Sequence, residues 1–507
     1  MRESDVRYVI FPGRHHVLTR FQARYLTELA PGATVIWAVT SANHQNTRRN
    51  PVPANRREAA IELFSQAEGI RSLVVPIVDV APDERFAEIT LKAIRHATDI
   101  DPRPEDAVVA CSTPAVSELY ARLGFRIAPV ERGHPDNPPY PWQLLERVAT
   151  GEPWRDEAHP ATVDVFDRYG LAAHIAAISA DPIVSSEGSL TETRDYRSYS
   201  AAFDAAAERK WAQARPYVRP GRIVDIGCAA GGMLELVAAD PELRESDLYG
   251  IEVARHLFEE CEHRKSQGVF ANPNTFFYQR NILSGSVFGD ASIDTTLTFA
   301  LTHEIYSYGD GMESLRRFAD TIARHTAPGG VWINSDVCGP DDPDRPVRLV
   351  FHESGLDHAA VDLTTLDDVP GYLTPLTPAA RFAQFAADFR RNAGAEFGYE
   401  VVDDRTVRLR LADAMEFLTR FSYVDNWLSE THEQFCALSW ADWVALAGEV
   451  GLQVDPRSGP WRNDWLVHNV FEPAAALRDD HGSRLDWPVT HVLLAATALR
   501  ERRDYAL

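Results

Sequence analysis

The chain has 507 residues, with 74 acidic side chains against 51 basic ones and a formal net charge of −23. That length implies two to four domains, each able to bury its own core, and an apolar fraction of 45% is that of a globular protein. The acidic excess repels polyanions, which argues against nucleic acid and for a small-molecule substrate.

The sequence holds no run of about 18 apolar residues and no signal-peptide pattern, so neither a membrane span nor export is expected and a cytoplasmic location is. Five widely spaced cysteines, Cys111, Cys228, Cys261, Cys338 and Cys436, form no C-x-x-C pair. Neither a disulfide framework nor a metal site is expected from them. Arginine supplies nearly all the basic charge, the only lysines being Lys92, Lys210 and Lys265. That bias reads as a property of composition. Nothing in the sequence sets the oligomeric state.

From residue 1 to 180, apolar strands alternate with helical stretches: "VRYVIF", "TVIWAV", "SLVVPIV" and "AVVACS" are separated by "LTRFQARYLTELA", "NRREAAIELFSQA" and "FAEITLKAIRHA". Such spacing predicts a parallel sheet covered on both faces. A helical tail runs from Leu144 to Ile178, and the polar stretch 181–195 is expected to be a linker. A second αβ series fills 196–507, with strands "RIVDIG", "DLYGIEV", "TFFYQRN", "IDTTLTFA" and "GGVWINSDV" and a last strand "THVLLAATAL". Between them, 340–435 breaks the rhythm and is expected to be a mostly helical insertion. Ser439 is the expected N-cap of the helix "WADWVALAGE". The fold class is therefore α/β, with two Rossmann-like doubly wound domains.

"VDIGCAAGG", Val224 to Gly232, follows an apolar strand. It lacks the middle glycine of G-x-G-x-x-G and the Gly-Lys-Ser/Thr end of a phosphate loop. Taken alone, it could be a plain strand-to-helix turn. The order Asp225, Gly227, Ala229, Gly231 resembles motif I of class I S-adenosylmethionine (SAM)-dependent methyltransferases, with Ala229 in place of the middle glycine. The resemblance covers 199–336 well and 439–499 more loosely, and implies the cofactor SAM. It places Asp225 near the ligand's ammonium, Glu252 on the ribose hydroxyls and Asn281, followed by Ile282, at the adenine. Gly227, Ala229, Gly231 and Ala300 would line the remaining cofactor site.

After the fourth strand, "LTHEIYSYG" puts His303 and Glu304 where substrate meets cofactor in this fold; His303 is the candidate general base and Glu304 its companion. A helix cap is the competing reading for both. Trp427, Trp461, Arg462, Asn463, Trp465, His468 and Asn469 form an aromatic and polar set, suited to a substrate lid or to packing.

"YVIFPGRHHVLTRFQARYL" resembles the opening of nicotinamide-mononucleotide adenylyltransferases of the nucleotidyltransferase superfamily. Gly13 and Arg14 fit that pattern, and Asn50, Pro51 and Arg57 match its N-P-x-x-x-x-x-R segment. Thr19 and Gln22 stand where the family carries its two phosphate-contacting histidines, and the closing Ser-Gly-Thr-x-Ile-Arg motif is missing. The resemblance implies a degenerate nucleotide-binding domain with Gly13, Arg14, Asn50 and Arg57 as its remaining contacts. Three functions follow: a methyltransferase with a relict first domain, a bifunctional nucleotidyltransferase and methyltransferase, or a non-enzymatic ligand-binding protein.

Overall fold

The structure is a computed structural model that describes residues 6–78, 84–180, 206–284, 287–391, 394 and 397–499. The expected linker 181–195 lies outside the described residues. Those described fall into two compact units, 6–180 and 206–499.

The first unit is built on five parallel strands, β1 (Tyr8–Gly13), β2 (Thr34–Val39), β3 (Arg71–Pro76), β4 (Ala107–Ala110) and β5 (Arg126–Ala128), in the order β3-β2-β1-β4-β5. Alternate residues of each strand feed opposite cores. Val9, Phe11, Val35 and Trp37 join the helices Arg20–Leu29 and Ala54–Glu68 on one face, while Ile10, Ile36 and Val109 pack toward Phe86–Thr98 on the other. The expected helical tail is three helices, Pro141–Thr150, Pro160–Tyr169 and Leu171–Ala180. At three residues, β5 is too short to leave a periodic signal.

The second unit has a sheet in the order β14-β17-β10-β9-β6-β7-β8, from β6 (Arg222–Ile226), β7 (Asp247–Glu252), β8 (Thr275–Gln279), β9 (Ile293–Phe299), β10 (Thr326–Val337), β14 (Leu452–Val454) and β17 (His491–Ala498). β6 to β10 run parallel, and β17 runs antiparallel between β10 and β14. This is a Rossmann-like α/β sheet. Ser439 caps the helix Trp440–Glu449 through a reciprocal capping box with Asp442.

The insertion differs from expectation. Besides the helices Pro378–Asp388 and Leu411–Leu418, it holds an antiparallel sheet of four strands, ordered β12 (Tyr399–Val401), β13 (Thr406–Arg410), β11 (Pro346–Phe351) and β16 (Ala475–Asp479). It therefore comes from two stretches of chain, one before β14 and one between β15 (Gly459–Trp461) and β17. β11 and β16 pair across more than a hundred residues, a contact that no local pattern encodes. Its core is its own, with Phe351, Phe382, Phe385 and Phe417 meeting edge to face.

Arg420 is buried in this core. It pairs with the buried Glu416 and donates to the carbonyls of Glu430 (2.7 Å) and Glu433, while Glu416 accepts from the amides of Phe435 (3.0 Å) and Cys436 (2.8 Å). The pair thus fixes the course of residues 430–436. Removing one partner strands a buried charge, so Arg420→Ala is expected to lose about 3–5 kcal/mol in urea unfolding. A loss below about 1 kcal/mol would show the pair to be dispensable.

Candidate functional site

The site forms where β6, β7, β9 and β10 end. β6 delivers Asp225 to the turn 227–231, in which Gly227 (φ +72°), Ala229 (φ +47°) and Gly231 (φ +84°) all take left-handed backbone. A side chain at Gly231 would press on Phe270 at 3.0 Å. Ala229 carries the only side chain in that run of left-handed residues, at a modest conformational cost. The helix Gly232–Ala239 begins directly after.

Asp225 is 1% exposed, and among the described residues neither of its carboxylate oxygens has a hydrogen-bond partner. Burial, with the nearby Glu252 carboxylate, pushes its pKa up to about 8 against the pull of Lys210. A carboxylate is rarely left so, and this one suits a cationic ligand group.

Glu252 ends β7. Its Oε1 accepts from the amides of Val253 and Ala254 (2.8 Å each) and its Oε2 from Ala229 (2.9 Å). Burial raises its pKa to about 7, opposed by those amides. Three of about four acceptor directions are thus taken by backbone, whereas the sequence reading has it accepting both ribose hydroxyls. About one acceptor direction is left.

Asn281 closes a turn by accepting from the Leu283 amide (2.9 Å), and the Ile282 side chain packs in the core beside Val224 and Ile251. Ala300 is left-handed (φ +52°) and donates its amide to Ser335 (2.9 Å).

Asp336, near the end of β10, gathers the other side of the cleft. Its Oδ2 accepts from the amide (2.7 Å) and hydroxyl of Thr302 and from the His303 amide (3.2 Å); Oδ1 accepts from Val337 (2.7 Å) and faces His303 Nδ1 at 2.6 Å. Burial opposes its ionisation, but His303 and these donors hold its pKa at about 2. Asp336 therefore caps the helix Thr302–Tyr308 and orients His303.

His303 lies between two acids. Its Nε2 faces Glu433 Oε2 at 3.3 Å, so both ring nitrogens meet buried carboxylates. Burial would lower its pKa, yet Asp336 and Glu433 hold it well above the ordinary imidazole value. The role of general base needs a neutral ring, whereas these two acids favour the charged one. Glu304 is buried beside it, within electrostatic reach of Glu252. The donor atoms of His303, Glu304 and Glu433 all lie within 4.8 Å of one another.

Three groups that sequence reasoning missed belong here. Lys210 lies on the helix 206–214 within reach of Asp336 and Asp225; burial lowers its pKa to about 8. His491 opens β17, accepts or donates at Thr490 Oγ1 (2.7 Å), stacks on Trp461 and is pushed by burial down to about 4. Glu433 comes from the insertion. A signal existed for two of them: Lys210 is a rare lysine in an arginine-rich chain, and Thr-His-Glu occurs at both 302–304 and 431–433. Of the aromatic set, Trp427 is buried and donates to Asp388 (2.8 Å), Asn463 caps a short helix, and Trp465 is exposed.

In the first unit, the expected nucleotide contacts hold loops. Arg57 is 1% exposed and its guanidinium donates to the carbonyls of Arg14 (3.0 Å), Thr40 (2.8 Å) and Ser41 (2.8 Å). It clamps the turns after β1 and β2, a structural use of the residue expected at a nucleotide. Asn50 is buried and shares a turn with Thr47, and the His15 ring packs on Gly13. Thr19 and Gln22, at the motif's histidine positions, form the capping box of the helix Arg20–Leu29, and Gln22 also donates to Glu131 (2.8 Å).

No family model and no curated protein matches the sequence. Among solved structures, the chain is similar to a SAM-dependent methyltransferase from Methanosarcina mazei (13% identity, 57% of this chain and 97% of that one, TM-score 0.29). It is similar also to geranyl diphosphate C-methyltransferase from Streptomyces coelicolor A3(2) (12%, 63% and 90%, TM-score 0.30). A third is a possible histamine N-methyltransferase from Thermotoga maritima (11%, 61% and 97%, TM-score 0.30). Among the described residues no helix is long and apolar enough to cross a membrane.

The Asp225 carboxyl binds its proton more tightly folded than unfolded. Its burial therefore costs nothing below pH 3.8, costs more as the pH rises toward 8, and is constant above that. Asp225→Asn is thus expected to raise the melting temperature of the ligand-free protein, more at pH 8 than at pH 5. An equal shift at both pH values would contradict an orphaned acid.

Proposed function

We propose that the second unit is a SAM-dependent methyltransferase acting on a small-molecule acceptor. The observation that carries this reading is the unpartnered, buried Asp225 carboxylate beside the left-handed turn 227–231. The cleft is rich in acid: Asp225, Glu252, Glu304, Asp336 and Glu433 are all buried, and the cations acting on them include Lys210 and His303. Such a charge balance favours a ligand bearing both an ammonium and a sulfonium.

Bound there, SAM supplies a methyl group activated for in-line displacement. The chain's residues then orient and shield. Asp225 would accept from the ammonium, Glu252 would offer its remaining acceptor direction to the ribose, and Gly227 to Gly231 would admit close approach of backbone. Lys210, with a pKa near the working pH, is the group suited to take a proton from a hydroxyl or amine acceptor. A cavity of about 260 Å³ is lined by Tyr308, Asp388, Arg390, Leu428 and His432, and Tyr308 also donates to Glu433, so a small acceptor is proposed to enter there. The first unit, with its motif positions engaged in capping and clamping, serves as a non-catalytic domain.

Calorimetric titration with SAM at pH 7.5 is expected to show micromolar binding to the wild type. Asp225→Ala removes a charge-assisted contact and is expected to weaken it at least about tenfold. A wild type that fails to bind SAM would contradict the proposal.

A further inference from the structure

His303, Glu304 and Glu433 have one nitrogen and two carboxylates converging from two distant parts of the chain, all three side chains nearly inaccessible to solvent. We infer that they form a divalent-cation site. The 3.3 Å between His303 Nε2 and Glu433 Oε2 is the spacing that two donors take around one ion with bonds of about 2.1 Å. Glu304 completes the set, the three donor atoms all lying within 4.8 Å of one another.

The surroundings have the order a metal site requires. Asp336 accepts from Nδ1 at 2.6 Å, which fixes the tautomer and turns Nε2 inward, as a carboxylate behind a metal-bound histidine does. Tyr308 donates to the other oxygen of Glu433 (3.3 Å). Arg420 and Glu416 hold the segment that carries Glu433. An ion would enter by displacing the direct contact between Nε2 and Glu433, and any proton held there would leave to solvent.

One imidazole with two carboxylates suits first-row divalent ions such as Mn²⁺, Fe²⁺ and Zn²⁺ better than Ca²⁺. With three protein donors, the ion would keep coordination positions open, and Tyr308, which donates to Glu433, also lines a cavity. A hydroxyl or carboxylate of an acceptor fits there. That last assignment rests on the methyltransferase reading, whereas binding of the ion does not.

The full chain, stripped with chelator, is titrated with Zn²⁺ and with Mn²⁺ in the absence of SAM. The expected result is one ion per chain, weakened at least about tenfold in Glu433→Gln and in His303→Gln, and by about 10–100-fold in Asp336→Asn. The Mn²⁺-loaded wild type is expected to show a single imidazole nitrogen coupling in pulsed electron paramagnetic resonance. That signal decides the matter on the native chain even where a variant fails to fold. Absence of stoichiometric binding by either ion, or bound Mn²⁺ without a nitrogen coupling, overturns the site. Failure of the methyltransferase reading would appear separately, as ion binding without SAM binding.

Discussion

The Asp336 carboxylate is the interaction on which the cleft depends. At the end of the parallel strand next to the sheet's switch in direction, it satisfies the first amides of the helix Thr302–Tyr308 and sets the ring of His303. That one group links three levels of organisation. The strand β10 places it, the helix start is neutralised by it, and the imidazole it orients reaches a carboxylate that arrives from the insertion. Charge at a helix N-terminus and charge on an imidazole both favour an ionised acid, which is why its pKa falls to about 2 despite burial.

The same low-dielectric setting works in the opposite direction a few strands away. Asp225 has neither amides nor an ion pair and is raised, while Glu252, with three amides, is raised less. A fold that buries acids with such different degrees of compensation holds a ligand-ready charge deficit on one side and a finished network on the other. The insertion matters here for more than cover: its own sheet and aromatic core make a platform, and the buried Arg420 and Glu416 hold the segment that brings Glu433 to His303.

Much of this was legible in the sequence where the signal is local. The strand and glycine turn at 222–232, the acid ending β7 and the Ser439 cap each rest on contiguous residues. What was not legible came from pairing over distance. The insertion read as helical because its strands are short and β16 joins β11 from far along the chain. His303 reads as a base because a lone histidine has a convenient pKa; in the fold its ring meets Asp336 and Glu433, which lie 33 and 130 residues away in sequence. In the first unit, Arg57 matched a motif residue, but the motif is silent on the three carbonyls that occupy it.

The central claim is that the cleft over β6 and β7 is built for a cationic amino-acid nucleoside. A crystal structure of the full chain grown with S-adenosylhomocysteine tests it most directly. The account predicts the ligand's ammonium against Asp225, its amino-acid chain over Gly227 to Gly231 and its ribose at Glu252. A ligand seated elsewhere, or Asp225 still without a partner in the occupied site, would contradict it.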